Sequence, residues 1–118
     1  MPPIPFFALG CLSGATSVAL GAFGAHGLKK HISDPAKLAN WNTAAQYQLI
    51  HSLALSFAAT LHPTPTLALS LFSAGITLFS GSLYVLVLDA QKRWGWVAGP
   101  ATPVGGLCLM GGWVVLGL

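Results

Sequence analysis

The stretch NTAAQYQLIHSLALSF, residues 42–57, decides how this chain is read. It carries no charge and runs into a strongly apolar part of the sequence, yet it holds Gln46, Tyr47, Gln48 and His51. If it crosses a bilayer the chain has four spans. If it does not, the chain has three, and its basic loops fall on opposite sides.

Composition sets the frame. Charged residues make up 6% of the 118 residues and hydrophobic ones 54%, with a mean hydropathy of +0.72. Soluble domains carry about 25% charge, so the chain reads as a single multi-span membrane domain over residues 1–118. The formal charge of +3 is too small to suggest nucleic-acid binding. Cys11 and Cys108 sit inside apolar runs without metal-ligand spacing and are read as buried thiols. The N-terminal MPPIPFF has neither the basic start of a secretory signal nor an Arg-rich presequence, so the first apolar segment is expected to stay in the mature protein.

A helix needs about 20 apolar residues to span the hydrocarbon core. Four segments qualify, at about 6–25, 44–61, 67–88 and 97–118, and none contains Asp, Glu, Lys or Arg. The alternation of a membrane β-barrel is absent. An all-α integral membrane four-helix bundle is expected. Asp34 is the candidate N-cap of the second helix, with Pro35 in its first turn, so that helix should begin before it enters lipid. Gly27 is placed as a C-cap of the first helix, and HPTP, residues 62–65, ends the second. Pro100 suits a first turn, and Pro103 bends the entry of the fourth span.

Charge settles direction. Lys29, Lys30 and Lys37 fall between the first two spans, and Lys92 and Arg93 between the last two. With four spans all five share one side, which the positive-inside rule makes cytoplasmic or matrix. Both termini then lie on the opposite side. Trp41, Trp94 and Trp96 flank the basic loops as an interfacial belt would.

Helices in lipid associate through small residues. Gly10, Gly14, Ser17, Gly21 and Gly24 recur at steps of four and three, one stripe along a helix. Ala74, Thr77 and Gly81 repeat the rhythm in the third span, and Gly105 and Gly112 stand a heptad apart in the fourth. Tight packing is expected at these glycines rather than a channel.

The segments GAFGAHGLK, WNTAAQYQLIHSLAL, LFSGSLYVL and GPATPVGG together resemble the YgdD-like family of small multi-pass membrane proteins, which includes the animal transmembrane protein 256 group. The resemblance covers about residues 5–117 and touches His26, Trp41, Tyr47, His51, Ser80, Gly81, Tyr84, Pro100 and Pro103. It implies a plasma-membrane protein in bacteria or a mitochondrial inner-membrane protein in eukaryotes. It brings no activity, cofactor or catalytic residue.

The polar residues outline a candidate site. At about 1.5 Å per residue, His51 is expected roughly 10 Å from the basic side, with His26, Gln48, Ser80 and Tyr84 at similar depth on neighbouring helices. His51 is expected neutral, serving as one donor and one acceptor, with Tyr84 as its partner. No Cys or carboxylate joins a pair of histidines, so no metal or cofactor is expected. Asp34 and Asp89 are the only carboxylates, which leaves no acid–base pair for catalysis. The leading expectation is a non-enzymatic accessory or assembly protein that meets a membrane-protein partner or a second copy within the lipid bilayer. The alternative is a carrier, channel or lipid-binding protein using a polar pocket in the positive-side half.

Overall fold

Asp34 begins the second helix as its chemistry dictates. Its carboxylate accepts from the Ala36 amide at 3.0 Å, and Pro35 occupies the first turn, where no amide hydrogen is missed. The computed structural model describes residues 4–118 and is all-α among them; Met1 to Pro3, and any reading placed on them, lie outside. Four helices follow in order: α1 (Ile4–Ala25), α2 (Pro35–Ala58), α3 (Thr66–Leu88) and α4 (Gly95–Gly117). A short 3-10 turn, Leu28–Lys30, follows α1. Helix α3 contains a π-helical turn at Ile76–Ser80.

Three of these, α1, α3 and α4, are long and apolar enough to cross a membrane. Helix α2 is equally long, but polar residues lower its average. Three of them, Gln48, His51 and Ser52, are buried, whereas Gln46 and Tyr47 are exposed along with Leu49, Ile50, Leu53 and Phe57. An averaged hydropathy does not register this division between faces.

The extensive pairings are α1 with α2, α2 with α3, and α3 with α4. Each is antiparallel. Gly10 faces Ser52 and Ser56 while Gly24 faces Trp41; Ser80 faces Ala44 while Phe72 faces His51; Gly105 faces Leu78 and Phe79 while Gly112 faces Phe72. The basic segments therefore meet at one end, where Leu28, Trp41 and Val87 form a small core. A larger core lies towards the other end, around Leu55, Ala58, Leu69, Phe72 and Leu109.

Close approach concentrates at particular glycines. A Cβ on Gly10 would meet Ser56 and come within 2.9 Å of the Ser52 carbonyl oxygen; one on Gly105 would strike the π-turn backbone, 2.7 Å from the Leu78 carbonyl carbon. Gly24 lets the Trp41 indole lie against α1, and Gly112 lies against the Phe72 ring. Gly14 and Gly21 are looser, since a Cβ there finds its nearest neighbour at 3.8 Å, an ordinary contact. Gly81, expected as a packing glycine, has nothing within 4 Å of that position and faces open space. Gly27 has φ −65°, so it is not a left-handed cap; its missing Cβ makes room for the Phe23 ring. Pro100 and Pro103 both lie inside α4 and withhold the amide hydrogens that Trp96 and Gly99 carbonyls would otherwise accept.

Candidate functional site

An amide, a phenol and two hydroxyls tie three helices together. Gln48 Nε2 donates to the Ser13 carbonyl on α1 at 2.9 Å, and its Oε1 accepts from the Tyr84 hydroxyl on α3 at 2.7 Å. The Ser13 and Ser52 hydroxyls share a 2.7 Å hydrogen bond beside it. Gln48 thus uses both ends of one amide to join α1 and α3 across α2. Ser80 Oγ, one helical turn away, donates to the Ala44 carbonyl at 2.8 Å. The phenol of Tyr84 also packs against the Trp41 ring, with centroids 4.7 Å apart.

His51 belongs to a second group. Its Nδ1 lies 2.7 Å from the Tyr47 carbonyl, which can only accept, so Nδ1 carries the hydrogen. Its Nε2 accepts from the Trp113 indole on α4 at 3.0 Å. Both ring nitrogens are matched in the neutral form. Phe72 completes the surroundings, 5.2 Å from the Trp113 ring and 6.0 Å from that of His51.

The five candidate residues therefore separate. Gln48 and Tyr84 bond directly, and Ser80 lies beside them without joining the chain of side chains. His51 pairs with Trp113 rather than Tyr84. His26 is exposed just beyond α1 and is not drawn into either group. Nor do the polar groups gather only at the basic end: His51 lies near Phe72 and Trp113, which come from the opposite ends of α3 and α4. Trp94 and Trp96 are exposed at 57% and 78%, in keeping with a lipid–water boundary. Trp41 is only 3% exposed and donates Nε1 to the Leu20 carbonyl at 2.8 Å. It anchors α2 to α1 from inside.

Ser13, Ser52 and Trp113 enter these contacts although the sequence pattern marked none of them for the site. Signals existed. Ser13 stands four residues before Ser17 on the α1 stripe, and Trp113 is the only aromatic residue in 97–118. An indole N–H within lipid needs an acceptor.

At the basic end, Asp89 accepts from the amides of Trp94 at 2.8 Å and Arg93 at 3.0 Å. These bonds, the Trp94 amide foremost, hold its carboxyl below the ordinary value of 3.8, with Arg93 and Lys37 acting in the same direction. A groove of about 450 Å³ lies nearby between α3 and α4. It is bordered by Gly81 and Ser82 but by none of His26, Gln48, His51 and Tyr84. The Ser82 hydroxyl is bonded to that of Thr102.

Antiparallel apolar helices with their polar groups turned inward define a multi-pass membrane protein. A family model described as "Protein of unknown function (DUF423)" matches residues 20–106. A UPF0382 membrane protein of Schizosaccharomyces pombe is 41% identical over 112 residues, covering 89% of this chain and 92% of that protein. One from Staphylococcus aureus is 43% identical over 115 residues, covering 94% and 90%. The UPF0382 membrane protein YwdK of Bacillus subtilis is 38% identical over 117 residues, covering 94% and 91%. The chain belongs to this DUF423/UPF0382 membrane-protein family. No solved structure matches it.

Proposed function

We propose that this is a four-span member of the family, acting without catalysis as an accessory or assembly partner for another membrane protein. Within the family we place it with the YgdD-like and transmembrane protein 256 group. The bilayer is the mitochondrial inner membrane in a eukaryotic cell and the plasma membrane in a bacterium. Helix α2 is read as the fourth span because it pairs with α1 from Gly10 to Gly24, roughly 20 Å of rise, and turns apolar side chains outward. Both termini then lie opposite the basic loops, which face the positive-inside compartment.

The observation that carries the non-catalytic reading is the closure of the polar groups on one another. Gln48 is used at both ends, and His51 at both nitrogens. Such bonds contribute about 0.6–2 kcal/mol each to helix association. They favour scaffolding over chemistry. Helices α1 and α4 each pair extensively with one neighbour and keep broad outer faces for a partner.

Crosslinking in native membranes, followed by purification in mild detergent, tests this. One membrane protein, or a second copy, should be recovered in fixed stoichiometry. Recovery of monomer alone from membranes, together with solute transport in vesicles, would overturn the accessory role in favour of a carrier.

A further inference from the structure

Helices α3 and α4 are not packed alike along their length. Through Gly75, Gly105 and Gly112 they approach until an added Cβ would collide. Towards the basic end they still touch through the Ser82–Thr102 hydroxyl bond, with an open groove beside it. There Gly81, which lines the groove, has nothing within 4 Å of a Cβ position. The groove, of about 450 Å³, is lined chiefly by apolar side chains that include Leu78, Val85, Val97 and Ala101.

This groove continues into a second compartment. A cavity of about 520 Å³ shares Val85 and Trp94 with it and extends past Leu88 to Gln91 and Arg93. One half is apolar and lies along two helices that can cross a membrane. The other half mixes polar and apolar groups and reaches the 89–94 loop, where the exposed Arg93 lines it. Trp94, 57% exposed, stands where the two halves join. Asp89 borders the mixed half, but its carboxylate oxygens are engaged by the Arg93 and Trp94 amides.

We propose that this two-part cleft binds one anionic phospholipid, with an acyl chain in the α3–α4 groove and its headgroup phosphate at Arg93. The argument is charge complementarity at the right depth: an apolar trough ends at the Arg93 cation beside an interfacial tryptophan. All five Lys and Arg residues belong to the segments at this end, so the field there favours an anionic headgroup over a zwitterionic one. Each cation near such a surface favours anionic lipid by roughly fivefold. The proposal rests on the reading that the basic end lies at a membrane surface.

The test is native mass spectrometry of the full chain, exchanged into mixed micelles holding equal amounts of phosphatidylglycerol and phosphatidylcholine with the same acyl chains. One phosphatidylglycerol per chain should be retained in preference. Arg93→Gln should lower that preference roughly fivefold. Gly81→Leu should remove retention of either lipid with the melting temperature held, because its side chain enters the open groove. Val85→Trp, at the joint between the compartments, is the second filling variant should the first disturb the fold. Added inorganic phosphate should not displace the lipid. Equal retention of the two lipids, unchanged retention in both filling variants, or displacement by phosphate overturns the proposal. If any of these occurs while thiol labelling still places both basic loops on one side, the lipid site falls and the topology stands.

Discussion

The Trp113 indole donates to His51 Nε2 at 3.0 Å, closing a contact between residues 62 apart in sequence. It joins the far end of α4 to the middle of α2, although those helices make no extensive pairing. Because Nδ1 of the same ring donates to the Tyr47 carbonyl, the arrangement specifies one neutral tautomer.

That tautomer can be observed. Nitrogen NMR of the labelled protein in micelles should show a His51 ring protonated at Nδ1 alone. His51→Leu should cost about 1–3 kcal/mol by leaving the indole without an acceptor. Trp113→Phe in the same background should then cost little more, because the two residues act as a pair. Additive losses in a double-mutant cycle would show that they are independent.

Gln48→Leu should destabilise the protein by about 1–3 kcal/mol in denaturant titrations, since the Tyr84 hydroxyl loses its acceptor. Tyr84→Phe removes the same bond from the other side. Their coupling should be about 0.6–2 kcal/mol. A coupling of zero would mean that the bond adds nothing to helix association.

The glycines separate into two groups. Gly10→Ala and Gly105→Ala should each cost about 1–3 kcal/mol through forced separation of backbones. Gly14→Ala, Gly21→Ala and Gly81→Ala should be neutral or stabilising, as a helical glycine gives up about 1 kcal/mol relative to alanine. Melting temperatures in detergent distinguish the groups directly.

Asp89 gives the pH dependence. Its carboxyl is held below the ordinary value, so its contribution is complete above that value and disappears as pH falls through the lower, folded one. The protection of the Arg93 and Trp94 amides from hydrogen exchange, relative to the intrinsic rate at each pH, should therefore be lost only below about pH 4. In Asp89→Asn this acid step should be missing.

Much of the fold was legible because lipid imposes few choices. Apolar length, Pro63 and Pro65 after the second helix, Asp34 and Pro35 before it, and the placement of five cations together outline the hairpins. The glycine rhythm identified a face of α1, but not which glycines are in tight contact. That depends on what stands opposite: Trp41 and Ser56 crowd Gly24 and Gly10, whereas Ala45 and Ser52 side chains leave room at Gly21 and Gly14. Gln48 and His51 were recognisable as inward-facing, whereas Gln46 and Tyr47 of the same stretch are exposed. The partners of the buried pair were not legible, because Gln48 could reach either neighbouring helix and His51 needed only an N–H donor at the right height. Periodicity does not encode that choice.

The central claim is that α2 crosses the bilayer despite its polar face. Single cysteines at Ser33, Thr64 and Gln91, in a background lacking Cys11 and Cys108, test it with an impermeant thiol reagent applied to sealed vesicles of known orientation. The four-span account predicts that positions 33 and 91 are labelled from one side and position 64 from the other. Labelling of 33 and 64 from the same side, with 91 opposite, would leave α2 outside the membrane and contradict it.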